Sequence, residues 1–158
     1  MITIPHLRLS TEELVHWLST CDEPWLSAAG PTARVGLDAW ETDHGGLVYR
    51  LDACRMATVG AAYEEMASQF RFPSYFGHNL NALRDVMTDD AVLVGVKTVV
   101  YVSQPKRLLS HEPEGAALAL LETFWDVARC WNTPEMPADG ESPPCVPFHF
   151  LFEDIGEV

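Results

Sequence analysis

Basic residues are scarce in this chain. Of 158 residues only ten are Lys or Arg, against 23 Asp or Glu, a formal net charge of −13 at pH 7. A surface that holds nucleic-acid phosphates needs clustered cations. Lys106-Arg107 is the one adjacent basic pair. Direct nucleic-acid binding is therefore excluded as an expectation, and so is binding to anionic membranes. A basic macromolecule is the partner that such a charge favours. Long apolar runs are also missing. Stretches such as AVLVGV at 91–96 are far too short to span a bilayer. The N-terminal MITIPHLRLSTEELVHW has no cationic start followed by an apolar run, which predicts a cytoplasmic chain without a signal peptide. The four cysteines, Cys21, Cys54, Cys130 and Cys145, include no C-x-x-C pair, and predict reduced thiols rather than a disulfide framework.

Catalytic signatures are absent too. The chain has no G-x-G-x-x-G, no phosphate-cradling G-x-x-x-x-G-K-[ST], no H-E-x-x-H and no G-x-S-x-G. No helix can present two of the six histidines to a metal, because their spacing is too wide. No metal, cofactor or catalytic residue is expected. His149, between Phe148 and Phe150, reads as a core or edge histidine. Cys54 and Cys130 lie in or beside apolar segments and read as buried structural thiols. A Cys–His enzyme pairing Cys54 or Cys130 with His78 is the rival of a different class.

Periodicity organises what is present. Residues 1–45 read as a partly helical N-terminal extension. Ser10 or Thr11 can cap a helix, and Leu14, Trp17 and Leu18 make an apolar stripe. After Pro24 this pattern fades. From residue 46 onward the signals are regular. LVYRLD at 47–52 alternates as a strand does. Thr58 can cap a helix with Ala62, Tyr63, Met66 and Phe70 on one face. Asn79 can cap a short helix with Leu80, Leu83 and Met87 inward. KTVVYVS at 97–103 is β-branched and strand-like. A long helix covers 117–131, residues 132–146 read as a mobile Pro/Asp/Glu loop, and PFHFLFED closes with a strand. Strands joined through helices run parallel. The expected fold is α/β, a small three-stranded parallel sheet covered by helices, occupying 46–158.

One segment exceeds the needs of a core. In FPSYFGHNLNALRDVMTDD at 72–90, Asn81, Arg84, Asp85 and Thr88 share the face opposite Leu80, Leu83 and Met87. A solvated face explains that much. The turn ahead of it adds Tyr75 and Phe76 side by side. Two successive aromatics tend to leave one outside, and an exposed Tyr beside an acid suits an interface.

Pro73 to Leu83, PSYFGHNLNAL, resembles the P-x-Y-[YF]-G-x-N-x-[DN]-A-L signature of the barstar family, intracellular inhibitors of ribonucleases. The resemblance runs from about residue 46 to 153 and covers the same element order. It implies a barstar-like fold and a cytoplasmic, bacterial immunity protein of the toxin–antitoxin type, monomeric when free, whose partner is a basic secreted ribonuclease. It also implies a binding site. The family's loop tyrosine and glycine fall on Tyr75 and Gly77, its two helix carboxylates on Asn81 and Asp85, the tryptophan between them on Arg84, and the long-helix acid near Asp126. Asn81 and Arg84 depart from the family pattern. They keep open a second reading, an adaptor or immunity protein for a partner that is not a nuclease.

Overall fold

The computed structural model describes residues 4–93, 95–134 and 145–154. Helix α1 (Thr11–Leu18) starts at a capping box: the Glu13 N–H donates to Ser10 Oγ at 3.1 Å, and the Ser10 N–H donates back to the Glu13 carboxylate at 3.2 Å. Strand β1 (Leu26–Ala29), helix α2 (Ala33–Asp43) and strand β2 (Leu47–Asp52) follow. Helix α3 (Val59–Phe70) is capped by Thr58, whose Oγ1 accepts from the Ala61 N–H at 3.2 Å. Helix α4 (Leu80–Met87), strand β3 (Thr98–Ser103), helix α5 (Glu114–Asn132) and strand β4 (Phe148–Glu153) complete the order.

The sheet has four strands in the order β1-β4-β3-β2, and every pairing is parallel. The expectation of three strands is thereby corrected. The additional strand, β1, comes from the segment read as an extension, and it pairs with β4 from Leu26↔Phe150 to Ala29↔Glu153. β4 is consequently an interior strand with every residue buried, which accounts for its run of aromatics.

Helices cover both faces. Against α3, α4 and α5 the sheet presents Val100, Val102, Phe148, Phe150 and Phe152, with Phe124 of α5 stacked on Phe150 at a 4.4 Å centroid separation. Against α1 and α2 it presents Val48, Val99, Tyr101 and Leu151, packed on Leu14, Leu18, Leu37 and Trp40. Helix α2 was missed in sequence because Gly36 reads as a breaker. Here a Cβ at Gly36 would meet Leu14 Cδ2 at 2.8 Å, so the glycine lets α1 lie close on α2.

The cysteine expectation is also corrected for one pair. Cys21 and Cys145, 124 residues apart, form a disulfide between the connection leading into β1 and the residues leading into β4. Cys54 is an exposed free thiol and Cys130 a half-buried one, so neither is the fully buried structural cysteine expected. Most of the expected 132–146 loop, residues 135–144, lies outside the described residues. Helix α5 runs one residue into that range. Asn132 then clamps β4, donating to the Phe148 carbonyl at 2.8 Å and accepting from the Phe148 N–H at 3.2 Å.

His149 sits in the core. Its Nε2 donates to the Thr20 carbonyl at 2.8 Å, and its ring lies 4.2 Å from that of Trp17. Burial opposes protonation more strongly than the Thr20 and Pro24 carbonyls favour it, and holds the imidazole pKa down at about 4.

Candidate functional site

The loop between α3 and α4 is built on aromatic packing. Phe76 is buried, with its ring 4.9 Å from Phe72 and edge-on to Tyr63 at 5.8 Å. Tyr75, its neighbour, points the other way and is 72% exposed. The chain then turns sharply into α4. His78 takes a left-handed φ of 51°, and its Nδ1 is 3.0 Å from the Phe76 carbonyl. Asn79 closes the turn twice over: its Oδ1 accepts from the Ala82 N–H at 2.8 Å, and its Nδ2 donates to the Gly77 carbonyl at 3.0 Å. A Cβ at Gly77 would lie 3.2 Å from that Nδ2 and 3.3 Å from Ala82 Cβ. A side chain at 77 would crowd the Asn79 cap, so the glycine suits this close approach.

Helix α4 divides as expected at Leu83 and Met87, but Val86 joins the buried face, and Leu80 and Thr88 are both half-buried. Leu83, Val86 and Met87 are buried, while Asn81, Arg84 and Asp85 are exposed. Asn81 and Asp85 are one turn apart on the same face. The helix is fastened to α5, whose Trp131 Nε1 donates to the Met87 carbonyl at 2.8 Å. Arg84 leans across the seam between the two helices and brings Nη2 to 3.9 Å from Cys130 Sγ. Asp126, half-buried, stands one turn before Cys130 on α5. The structure therefore sets Tyr75 and Gly77 on the loop leading into α4, Asn81, Arg84 and Asp85 on α4, and Asp126 on the neighbouring helix.

Among the described residues, neither the Asp85 nor the Asp126 carboxylate has a hydrogen-bond or ion-pair partner. Some charged groups elsewhere are matched: Arg34 with Glu153 at 2.6 Å, Arg50 with Asp38 and Glu41 at 3.3 and 3.4 Å. A carboxylate on a packed helix without a partner of its own can accept from a foreign cation without first breaking a bond. Among the described residues no three His, Cys, Asp or Glu side chains gather as a metal site. No helix there is long and apolar enough to cross a membrane.

Sequence reasoning missed the contact of Arg84 with Cys130. The two lie 46 residues apart, and only the crossing of α4 and α5 joins them. It also missed His78, whose left-handed backbone has no local mark beyond the flanking glycine and asparagine.

No curated protein sequence matches the chain. The family model described as Barstar (barnase inhibitor) matches residues 47–146, from β2 to the approach to β4, and with them the whole of the loop and α4. On a match of that extent, and with the loop, cap and parallel α/β frame in place, the chain belongs to the barstar family.

Proposed function

We propose that this protein is a cytoplasmic inhibitor, of the immunity-protein kind, that occludes the basic active site of a ribonuclease. The observation that carries the reading is the set of unpartnered acids, Asp85 on α4 and Asp126 on the packed helix α5, with Tyr75 exposed on the loop leading into α4. A ribonuclease cleft is lined with cations that hold a phosphodiester. Asp85 occupies the phosphate's place, and its helix is ordered before binding, so little conformational entropy is lost. Asp126 adds a second anion. Tyr75 covers the substrate path, and Gly77 allows the loop to approach closely. Inhibition is occlusion alone, with no catalysis, no metal and no cofactor, by a protein that is monomeric when free.

The test uses the purified protein as bait for partners, followed by titration into RNA cleavage by the captured enzyme. Stoichiometric loss of cleavage is expected. Capture of a partner with no nuclease activity would sink the ribonuclease reading and favour the second one, an adaptor or immunity protein for another target. Arg84 favours that alternative: it puts an exposed cation next to Asp85 on α4, reaching toward Cys130 of α5, where a basic cleft would have to meet it.

Compartment has its own test. A reducing cytoplasm keeps thiols free, and the Cys21–Cys145 bond is the feature that speaks for an oxidising one. Protein trapped with an alkylating reagent at lysis should show all four thiols for the cytoplasmic reading. Two thiols would place it elsewhere.

A further inference from the structure

A cleft of about 570 Å³ opens at the C-terminal edge of the sheet, away from the loop and α4. Its walls are apolar: Ile4, Ala28 at the end of β1, Leu121 on α5, and Phe152 at the end of β4. Leu108 closes the side where β3 exits. Its volume lies in the range of small-molecule sites, roughly 300–1,000 Å³.

Topology explains why a cleft forms here. β1 sends its connection through α2 on one face, toward β2 at the far edge. β3 sends its connection through α5 on the opposite face, toward β4. The cleft lies beyond the carboxyl ends of β1, β4 and β3, the end of an open α/β sheet at which ligands bind. Ile4 and Ala28 precede the matched residues 47–146, so the cleft depends in part on the segment that leads into the family's region.

Charge selects the ligand. The only adjacent basic pair in this acidic chain, Lys106-Arg107, lies in the short 3₁₀ turn Pro105–Arg107 that follows β3, and both residues line the cleft. Two acids also reach its rim, and both are engaged. Glu153 is held by Arg34 and Tyr101, and the Asp154 carboxylate lies 3.3 Å from His6 Nε2. A dianion would meet those acids as well as the two cations; a monoanion is the better match. We propose that the cleft binds a small amphipathic carboxylate, with its apolar body against Leu121 and Phe152 and its head at Lys106 and Arg107.

The test is a titration of the full-length, isotope-labelled chain with octanoate, followed by backbone amide shifts. The full chain is used so that the residues flanking Ile4 and Asp154 are present to compete. Saturable shifts are expected at Ala28, Leu121 and Phe152, with a dissociation constant in the millimolar range or below. Octanol, with the same chain and no charge, should bind at least about tenfold more weakly, as should octanoate to the double variant Lys106→Gln/Arg107→Gln. Leu121→Trp should abolish binding by filling the cleft. If that variant fails to fold, the exposed double variant still decides. Absence of saturable shifts, equal binding of octanol, or unchanged affinity in the double variant overturns the proposal.

Discussion

Glu153 and Asp85 are both carboxylates on an acidic chain, and the fold treats them in opposite ways. Glu153, 3% exposed at the end of β4, accepts hydrogen bonds from Arg34 at 2.6, 2.7 and 3.1 Å and from the Tyr101 hydroxyl. Burial by itself would raise its pKa. The hydrogen bonds from Arg34 and Tyr101 outweigh burial and hold it below the usual carboxylate range. Asp85 stands exposed on α4 with no partner among the described residues. A buried acid has to be satisfied within the fold, because leaving it unpaired is costly. An exposed acid is already satisfied by water, and it can exchange that water for a partner's cation. The first kind of acid supports stability and the second is available for recognition. The same contrast separates the β4 end of the molecule from the α4 face.

The comparison can be broken in order of expected effect. The largest concerns His149, a buried group kept neutral. Its pKa is about 4 in the fold against an ordinary 6.5 for histidine, so the unfolded chain binds the extra proton between those values. Stability should therefore fall as pH drops from 6.5 to 4, by about 3 kcal/mol at roughly 1.4 kcal/mol per pH unit. Denaturant melts across that window should show the slope, and His149→Phe should flatten it. An equal slope in the variant would assign the loss to other groups.

Next comes Glu153 itself. Glu153→Ala leaves the buried Tyr101 hydroxyl without its acceptor and should cost about 2–3 kcal/mol of unfolding free energy. Its folded pKa is depressed, so its contribution is present above the ordinary carboxylate range and is lost as pH falls through the folded value. Partner binding should be untouched, since the residue lies at the far end of the sheet from α4. Weakened binding at full stability would erase the distinction drawn between the two acids.

Asp85→Ala should show the reverse pattern. We expect binding to the true partner to weaken at least about fivefold while stability changes by less than ~0.5 kcal/mol, as for other exposed helix positions. Association should also slow as salt rises, because exposed charges are screened beyond a Debye length. An unchanged dissociation constant would mean that another face of the molecule binds.

The smallest effect, and the one that sharpens the comparison most, belongs to Arg84. Its guanidinium reaches Cys130 and lies in the seam that Asp126 also flanks. Arg84→Trp should strengthen binding to barnase, whose basic cleft repels a cation, and weaken binding to a natural partner that offers Arg84 a carboxylate, a carbonyl or an aromatic face, each by a few-fold. Affinities that stay put for both partners would reduce Arg84 to a rim residue.

Legibility in sequence followed the range of the interactions. α3, α4 and α5 were readable because capping residues and apolar spacing act within a turn or two. Thr58 and Asn79 cap the helices expected of them. β3 and β4 were readable as β-branched or aromatic runs. β1 was not: LSAA has no β-branched or aromatic side chain, and it is a strand because β4 offers it an edge. α2 was hidden by Gly36, which is there for Leu14. Within the site, PSYFGHNLNAL left a clear mark because cap, glycine and aromatics lie within eleven positions. The reach of Arg84 to Cys130 left none.

The sequence by itself determined the charge of the molecule, the turn into α4 and the division of that helix into a buried and an exposed face, because each depends on residue type and on hydrogen bonds closed within about four positions. Only the assembled fold decides that β1 completes a four-stranded sheet, that Cys21 meets Cys145, and that Arg84 on α4 reaches Cys130 on α5. Those contacts join residues 46 to 124 positions apart, where no local pattern specifies a partner and the choice is made by how helices and strands bury their apolar faces together.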